Sequence, residues 1–252
     1  MKKFSDETLE RYSRQIIIDN IGIEGQEKIM NTSISIIGCG GLGTTAAQYL
    51  TMSGIGEILL IDDDSVSLSN LNRQTLFSEK DLGKSKAEVL KKNLKKINSK
   101  SKFKSQTSRV NKKNISKFLE QYNIILDCSD NFETRYLINQ YAFQKRKILV
   151  SCALQNFDIQ VYAFSSWDNK YNPCYECIFP KNNSSNSNSC DELGIIAPVA
   201  GMGGIFQANT VISIILNKNK KIFREIILYD CFERIFKKIQ IKKSSKCITC
   251  KL

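Results

Sequence analysis

The chain has 252 residues, 42% of them hydrophobic, and 37 Lys and Arg against 25 Asp and Glu give a formal net charge of +12. That length allows one large α/β domain or two small ones, with a substantial core. Histidine is absent altogether, which excludes a Ser-His-Asp triad, a Cys-His pair and every histidine metal site.

The lysines are spread along the whole chain, and no reading helix or aromatic–basic motif accompanies them. A nucleic-acid partner is therefore not expected, although a basic surface could steer an acidic protein partner. Residues 1–10 carry no apolar leader core, and the apolar run VISIIL at 211–216 is too short to span a bilayer. These features predict a soluble, cytoplasmic protein with no membrane partner.

In chain order, residues 5–30 read as short helices punctuated by Arg11, Arg14 and Gln15. The run 33–43, SISIIGCGGLG, passes from five residues of strand pattern into Gly38-x-Gly40-x-x-Gly43, with Gly41 inside it, and a helix follows to about residue 52. Only glycine turns this tightly and lets backbone approach a phosphate, and the helix N-terminus behind it favours negative charge. A second apolar strand, 57–61, ends in three aspartates beginning at Asp62, placed to accept bonds from ribose hydroxyls. Asn70, Arg73 and Gln74 come next, and Lys86 lies on a helix predicted over 83–97. Such a cation cluster suits a triphosphate better than the two-phosphate bridge of a dinucleotide. Arg73 offers a bidentate fork and Lys86 a point charge.

A third strand is predicted over 103–110 and a helix near 115–122. A buried strand, 123–126, ends in Asp127-Cys-Ser-Asp130-Asn131. Either Asp130 or Asp127 could hold Mg²⁺ on the phosphates, and spacing does not choose between them. A helix over 133–144 and a buried strand over 147–152 complete a strand–helix alternation that indicates a doubly wound, Rossmann-like sheet. Strands at 158–165, 225–229 and 234–241 lack intervening helices of that kind, so the sheet is expected to be mixed, with an antiparallel C-terminal part. An apolar helix opens at Pro198. One domain over 1–252 is expected, with a mobile polar crossover at about 181–194 that carries Cys190.

Nine cysteines in a chain without a leader argue against a disulfide framework. Cys174-x-x-Cys177 and Cys247-x-x-Cys250 fit a closed, structural four-thiolate Zn²⁺ site that ties the C-terminus to the body. Two redox CxxC pairs are the rival reading. Cys39, Cys128, Cys152 and Cys231, in or beside apolar strands, read as packing residues.

Together, RYSRQIIID at 11–19, GCGGLG at 38–43, SLSNLNRQTLF at 67–77, DCSDN at 127–131, APVAGMGG at 197–204 and the paired CxxC motifs resemble the MoeB/ThiF family, over nearly the whole chain. The resemblance implies adenylation of a small ubiquitin-like sulfur-carrier protein. The carrier's C-terminal glycine carboxylate attacks the α-phosphate of ATP and pyrophosphate leaves. Asn70, Arg73, Gln74 and Lys86 match ATP-contacting positions of that family, and Asp130 its Mg²⁺-linked catalytic aspartate. Arg14 matches an arginine supplied by the neighbouring subunit, which implies a homodimer. Cys190 matches a crossover cysteine implicated in sulfur transfer, with a sulfur-donor protein as a further partner. RYSRQI, Leu76-Phe77 and CIFP at 177–180 resemble the thiamine-pathway branch. Val150-Ser151-Cys152 and the DLG at 81–83 lean toward the molybdenum-cofactor branch. A nicotinamide-dependent oxidoreductase would explain the glycine loop and Asp62 but not Arg73, Lys86 and the cysteine pairs. A zinc-bearing interaction module would need none of the nucleotide constellation.

Overall fold

The structure is a computed structural model that describes residues 4–181, 194–217 and 220–251. Two short helices, α1 (Asp6–Ile16) and α2 (Gly22–Met30), precede the sheet. There follow β1 (Ser33–Ile37), α3 (Gly41–Ser53), β2 (Glu57–Ile61), α4 (Lys86–Ile97), β3 (Lys102–Gln106), α5 (Ile115–Leu119), β4 (Ile124–Asp127), α6 (Phe132–Gln144) and β5 (Ile148–Gln155). Next come β6 (Asp158–Phe164), α7 (Tyr175–Ile178), α8 (Ala197–Ile215), β7 (Glu225–Asp230) and β8 (Ile235–Gln240). The eight strands form one sheet in the order β3-β2-β1-β4-β5-β6-β7-β8. The first five run parallel, and β6, β7 and β8 join antiparallel. The mixed, doubly wound expectation is met.

The central strands are apolar on both faces because both are covered. Ile34, Ile36, Ile58 and Leu60 pack toward α3, α4 and α8 with Ala46, Leu50, Leu90 and Val211. Ile37, Leu59, Ile61 and Ile125 face the other way, toward Leu119, Ile138 and Tyr141 of α5 and α6. Residues 211–215 end a helix of 19 residues, long and apolar enough by composition to cross a bilayer. In this fold one side of that helix packs into the core beside α3. Fully buried Gln207 donates from Nε2 to the Asp127 carbonyl at 3.0 Å and the Val150 carbonyl at 2.9 Å.

The register fixes the site. Ile37 pairs with Ile61 on one side and Asp127 on the other, and Asp127 pairs with Ser151. The carboxyl ends of β1, β2 and β4 therefore lie level, where the strand order reverses between β1 and β4. That is where open α/β sheets bind ligands.

Candidate active site

The glycine loop leaves β1 at Gly38, whose φ is +94°, and a Cβ there would lie 2.6 Å from the Cys128 carbonyl oxygen. A Cβ on Gly43 would meet the Gly38 oxygen at 1.9 Å. No other residue lets the loop fold back so closely and start α3 at Gly41. The first N–H groups of α3 lack partners within the helix and face the cleft.

That cleft, about 520 Å³, is lined by Gly38, Gly40, Gly41, Asp62, Asn70, Arg73, Gln74, Lys86 and Asp130. Every sequence-predicted nucleotide residue except Gly43, which packs beneath the loop, thus reaches one cavity. A groove of about 830 Å³ at the opposite end of the strands, lined by Ser33, Ile124 and Ile148, has no glycine loop and one lysine.

Asp62 is fixed by two backbone donors. Its Oδ2 accepts from the Cys39 N–H at 2.6 Å and its Oδ1 from the Asp64 N–H at 2.8 Å. Burial raises its carboxyl above the usual carboxylate range, partly offset by those two bonds and by the Lys86 charge. Lys86, the first residue of α4, is 6% exposed, and its ammonium donates to Asp64 Oδ2 at 2.7 Å. Arg73 Nη1 donates to the Ser69 carbonyl at 3.0 Å and to Asn72 Oδ1 at 3.1 Å. Asn70 Oδ1 accepts from the Ser67 N–H at 3.2 Å, which holds the short turn that carries Arg73. Gln74 is buried, and its Oε1 has no hydrogen-bond partner.

Asp127 and Asp130 are separated by their surroundings. Asp127 is fully buried. Its Oδ1 accepts from the Ser129 N–H at 3.0 Å and the Ser129 hydroxyl at 2.5 Å, and its Oδ2 from the Ser151 hydroxyl at 2.7 Å. It is spent on holding the loop. Asp130 is exposed in the cleft and, among the described residues, accepts a hydrogen bond from Asn131 Nδ2 at 3.1 Å, so of the two it is the carboxylate open to a cation.

Arg14 does not line this cleft. It is exposed on α1, one half-turn from Tyr12. Tyr12 abuts Gly54, where a Cβ would lie 2.7 Å from its ring, and its hydroxyl accepts from Asn98 Nδ2 at 2.9 Å. Gly54 caps the far end of α3, a helix of 13 residues, so about 20 Å separates it from the glycine loop. Helix α1 is thus anchored, through Tyr12, at the end of α3 away from the glycine loop. Cys190 and the predicted crossover at 181–194 lie, but for their end residues, outside the described residues.

Several cleft residues were not among the predicted site residues: Ser108, Arg109 and Val110, which were expected to end the third strand, and Arg135 on α6. β3 stops at Gln106, so 108–110 are a strand-end loop, the place where ligand contacts are expected. Arg135 is buried and donates from Nη2 to the carbonyls of Ser129 at 2.7 Å and Cys152 at 3.2 Å. It braces the Asp130 loop from behind. Burial pushes the thiols of Cys39, Cys128 and Cys152 up, so these are packing groups and poor nucleophiles.

Across the molecule, Cys174, Cys177, Cys247 and Cys250 place their sulfurs within 4.8 Å of one another. Sγ pairs lie 3.9 Å (174–177), 3.5 Å (174–247), 3.4 Å (177–250) and 3.6 Å (247–250) apart. A tetrahedral ion with metal–sulfur bonds of about 2.3 Å spaces its ligands by about 3.8 Å, so the set fits one. All four are free cysteines. The Cys250 N–H and the Asn139 amide point at Cys247 and Cys174 sulfurs, at 3.5 Å and 3.6 Å.

The comparisons agree with this geometry. The ThiF family matches residues 12–250. A sulfur carrier protein adenylyltransferase of Thermus thermophilus is 34% identical over 251 residues, covering 98% of this chain and 93% of that protein. The adenylyltransferase and sulfurtransferase MOCS3 of Xenopus laevis is 38% identical over 242 residues, 95% of this chain and 53% of MOCS3. The chain thus spans about half the length of that relative. Escherichia coli MccB, solved with ATP, superposes with a TM-score of 0.82 at 27% identity, over 95% of this chain and 73% of MccB.

Proposed function

Because this chain belongs to the ThiF family, we propose that it adenylates the C-terminal glycine carboxylate of a small ubiquitin-like sulfur-carrier protein with ATP. The observation that carries this reading is the single cleft in which the glycine loop, Asp62, Arg73, Gln74, Lys86 and Asp130 converge. The carrier carboxylate is already ionised at neutral pH. Its oxygen forms a bond to the α-phosphorus, the bond from that phosphorus to the bridging oxygen breaks, and pyrophosphate leaves. No general base is needed, which suits a chain without histidine. Alignment and charge neutralisation supply the rate. Asp62 takes the ribose hydroxyls, the N-terminal amides of α3 the phosphates, and Arg73 and Lys86 the developing charge. Mg²⁺, held by Asp130, would add charge neutralisation at the phosphates. Zn²⁺ is the ion that suits the four thiolates, in a structural role, since such a site has no open position.

The active unit in this reading is a homodimer, in which Arg14 completes the partner's cleft. Its absence from the lining of its own cleft supports that arrangement. So do the exposed apolar side chains of Ile17, Ile18, Ile23, Tyr49 and Met52 on and beside α1, α2 and α3. The thiamine-pathway carrier is the first candidate substrate, on the motifs at 11–16, 76–77 and 177–180. The likeness to MOCS3 keeps the molybdopterin-synthase carrier as the second.

ATP–pyrophosphate exchange tests the reading. Exchange should require a carrier ending in Gly-Gly and vanish with a carrier lacking those glycines. Exchange without carrier, or none with either candidate, would overturn it.

A further inference from the structure

Lys86 stands in an unfavourable place for a cation. It is the first residue of α4, at the positive end of the helix dipole, and it is 6% exposed. A nearly buried ammonium there needs a counter-charge. Asp64 is the one carboxylate it contacts among the described residues, at 2.7 Å. The pair is also tied through the backbone, since the Lys86 N–H donates to the Asp64 carbonyl at 3.0 Å. Asp64 is in turn held by its own N–H on Asp62 Oδ1 at 2.8 Å, and Asp62 by the Cys39 N–H of the glycine loop at 2.6 Å. One run of bonds thus joins the phosphate loop, the ribose carboxylate and the lysine.

We propose that Asp64 is a positioning residue that holds the Lys86 ammonium at a fixed point on the cleft wall before the triphosphate arrives. This rests on the adenylation reading above. Without Asp64 the lysine keeps its charge and its attraction for phosphate, but its long side chain loses its anchor. Binding then persists while alignment suffers. Removing one carboxylate from beside the phosphates also lowers repulsion in the bound state. The Asp64 side chain is 66% exposed, so its replacement leaves no hole in the core.

The test is a double-mutant cycle in the full-length protein with Asp64→Asn, Lys86→Met and both together, read by ATP–pyrophosphate exchange at high enzyme concentration. Asp64→Asn should lower kcat on the order of tenfold, with KM for ATP not raised. Calorimetry should show that a non-hydrolysable ATP analogue binds no more weakly. In the Lys86→Met background the same change should do nothing further, and Asp64→Glu should restore part of the rate. An unchanged kcat, weaker analogue binding, or an equal fold-loss in both backgrounds would overturn the proposal. A loss caused by misfolding would appear equally in both and so counts against it. Wild-type exchange reads the parent assignment and the variant-to-wild-type ratio reads this one, so the two can fail separately.

Discussion

Asp127 and Asp130 share one short loop, and burial alone divides their work. Asp127 accepts three hydrogen bonds inside the sheet, whereas Asp130 faces the cleft. Asp127→Asn puts an amide N–H against a serine that is already donating, and should cost about 1–3 kcal/mol of stability in urea unfolding. Asp130→Asn should leave the unfolding midpoint where it is and abolish exchange. Equal stability losses would mean that the two aspartates share a structural role. Asp62 makes a different prediction. Burial raises its carboxyl, so the folded state favours the protonated form. Its contribution to stability is fully present below the ordinary carboxylate pKa of about 3.9 and is lost as pH rises through the higher folded value. Asp62→Asn should therefore gain stability relative to wild type across that interval and level off above it, while ATP affinity falls. A stability difference independent of pH would refute the assignment. That residues 62, 73, 86 and 130 would meet in one cleft was legible, because each lies on the connection after a strand's carboxyl end or at a helix start. Spacing alone did not divide Asp127 from Asp130, and only the family resemblance pointed to Asp130, because the burial of Asp127 depends on Ser151, which reaches it through strand pairing.

At the level of elements, the glycine loop is held down by α8. A Cβ on Gly204 would lie 2.7 Å from both the Leu42 carbonyl oxygen and the Thr45 Cβ, and one on Gly203 would crowd Leu42 and Leu154. Helix α8 approaches α3 this closely only because those positions are glycine. Gly204→Ala should cost about 1–3 kcal/mol through overpacking. Because Leu42 lies in the first turn of α3, ATP binding should weaken with it. Calorimetry showing normal ATP affinity in a destabilised variant would uncouple the packing from the site. In the sequence, the glycines of 201–204 marked a helix start without a reason, since the reason is a neighbour more than a hundred residues away. Periodicity located most strands and helices well, and their ends less so. The helix predicted from residue 83 starts at Lys86, after Gly83 with φ +77° and the cap Ser85, whose hydroxyl accepts from Glu88. The third strand, expected to reach residue 110, stops at Gln106, and Ser108, Arg109 and Val110 form cleft wall instead. The four-residue helix α7, between Cys174 and Phe179, is too short to show a period.

At the scale of the whole molecule, the cysteine cluster draws the C-terminal tail back onto α6 and α7. Purified protein should carry one tightly bound zinc per chain. Cys247→Ser should lower the thermal midpoint by several degrees, with exchange lost only where the protein unfolds. Metal-free protein and a silent substitution would remove the structural role. Arg14, which does not line its own chain's cleft, makes a second prediction. Arg14→Ala and Asp130→Ala, each inactive alone, should recover about a quarter of wild-type exchange when their subunits are mixed at random, since about half the dimers then hold one intact site. No recovery with subunit exchange confirmed would contradict a shared site. The most direct measurement tracks the phosphorus. With ATP labelled at the α- or the γ-phosphate, enzyme and a Gly-Gly carrier, α-label should become attached to the carrier's C-terminal glycine while γ-label leaves in pyrophosphate. Carrier labelled from the γ-position, or ADP and phosphate as products, would contradict the account.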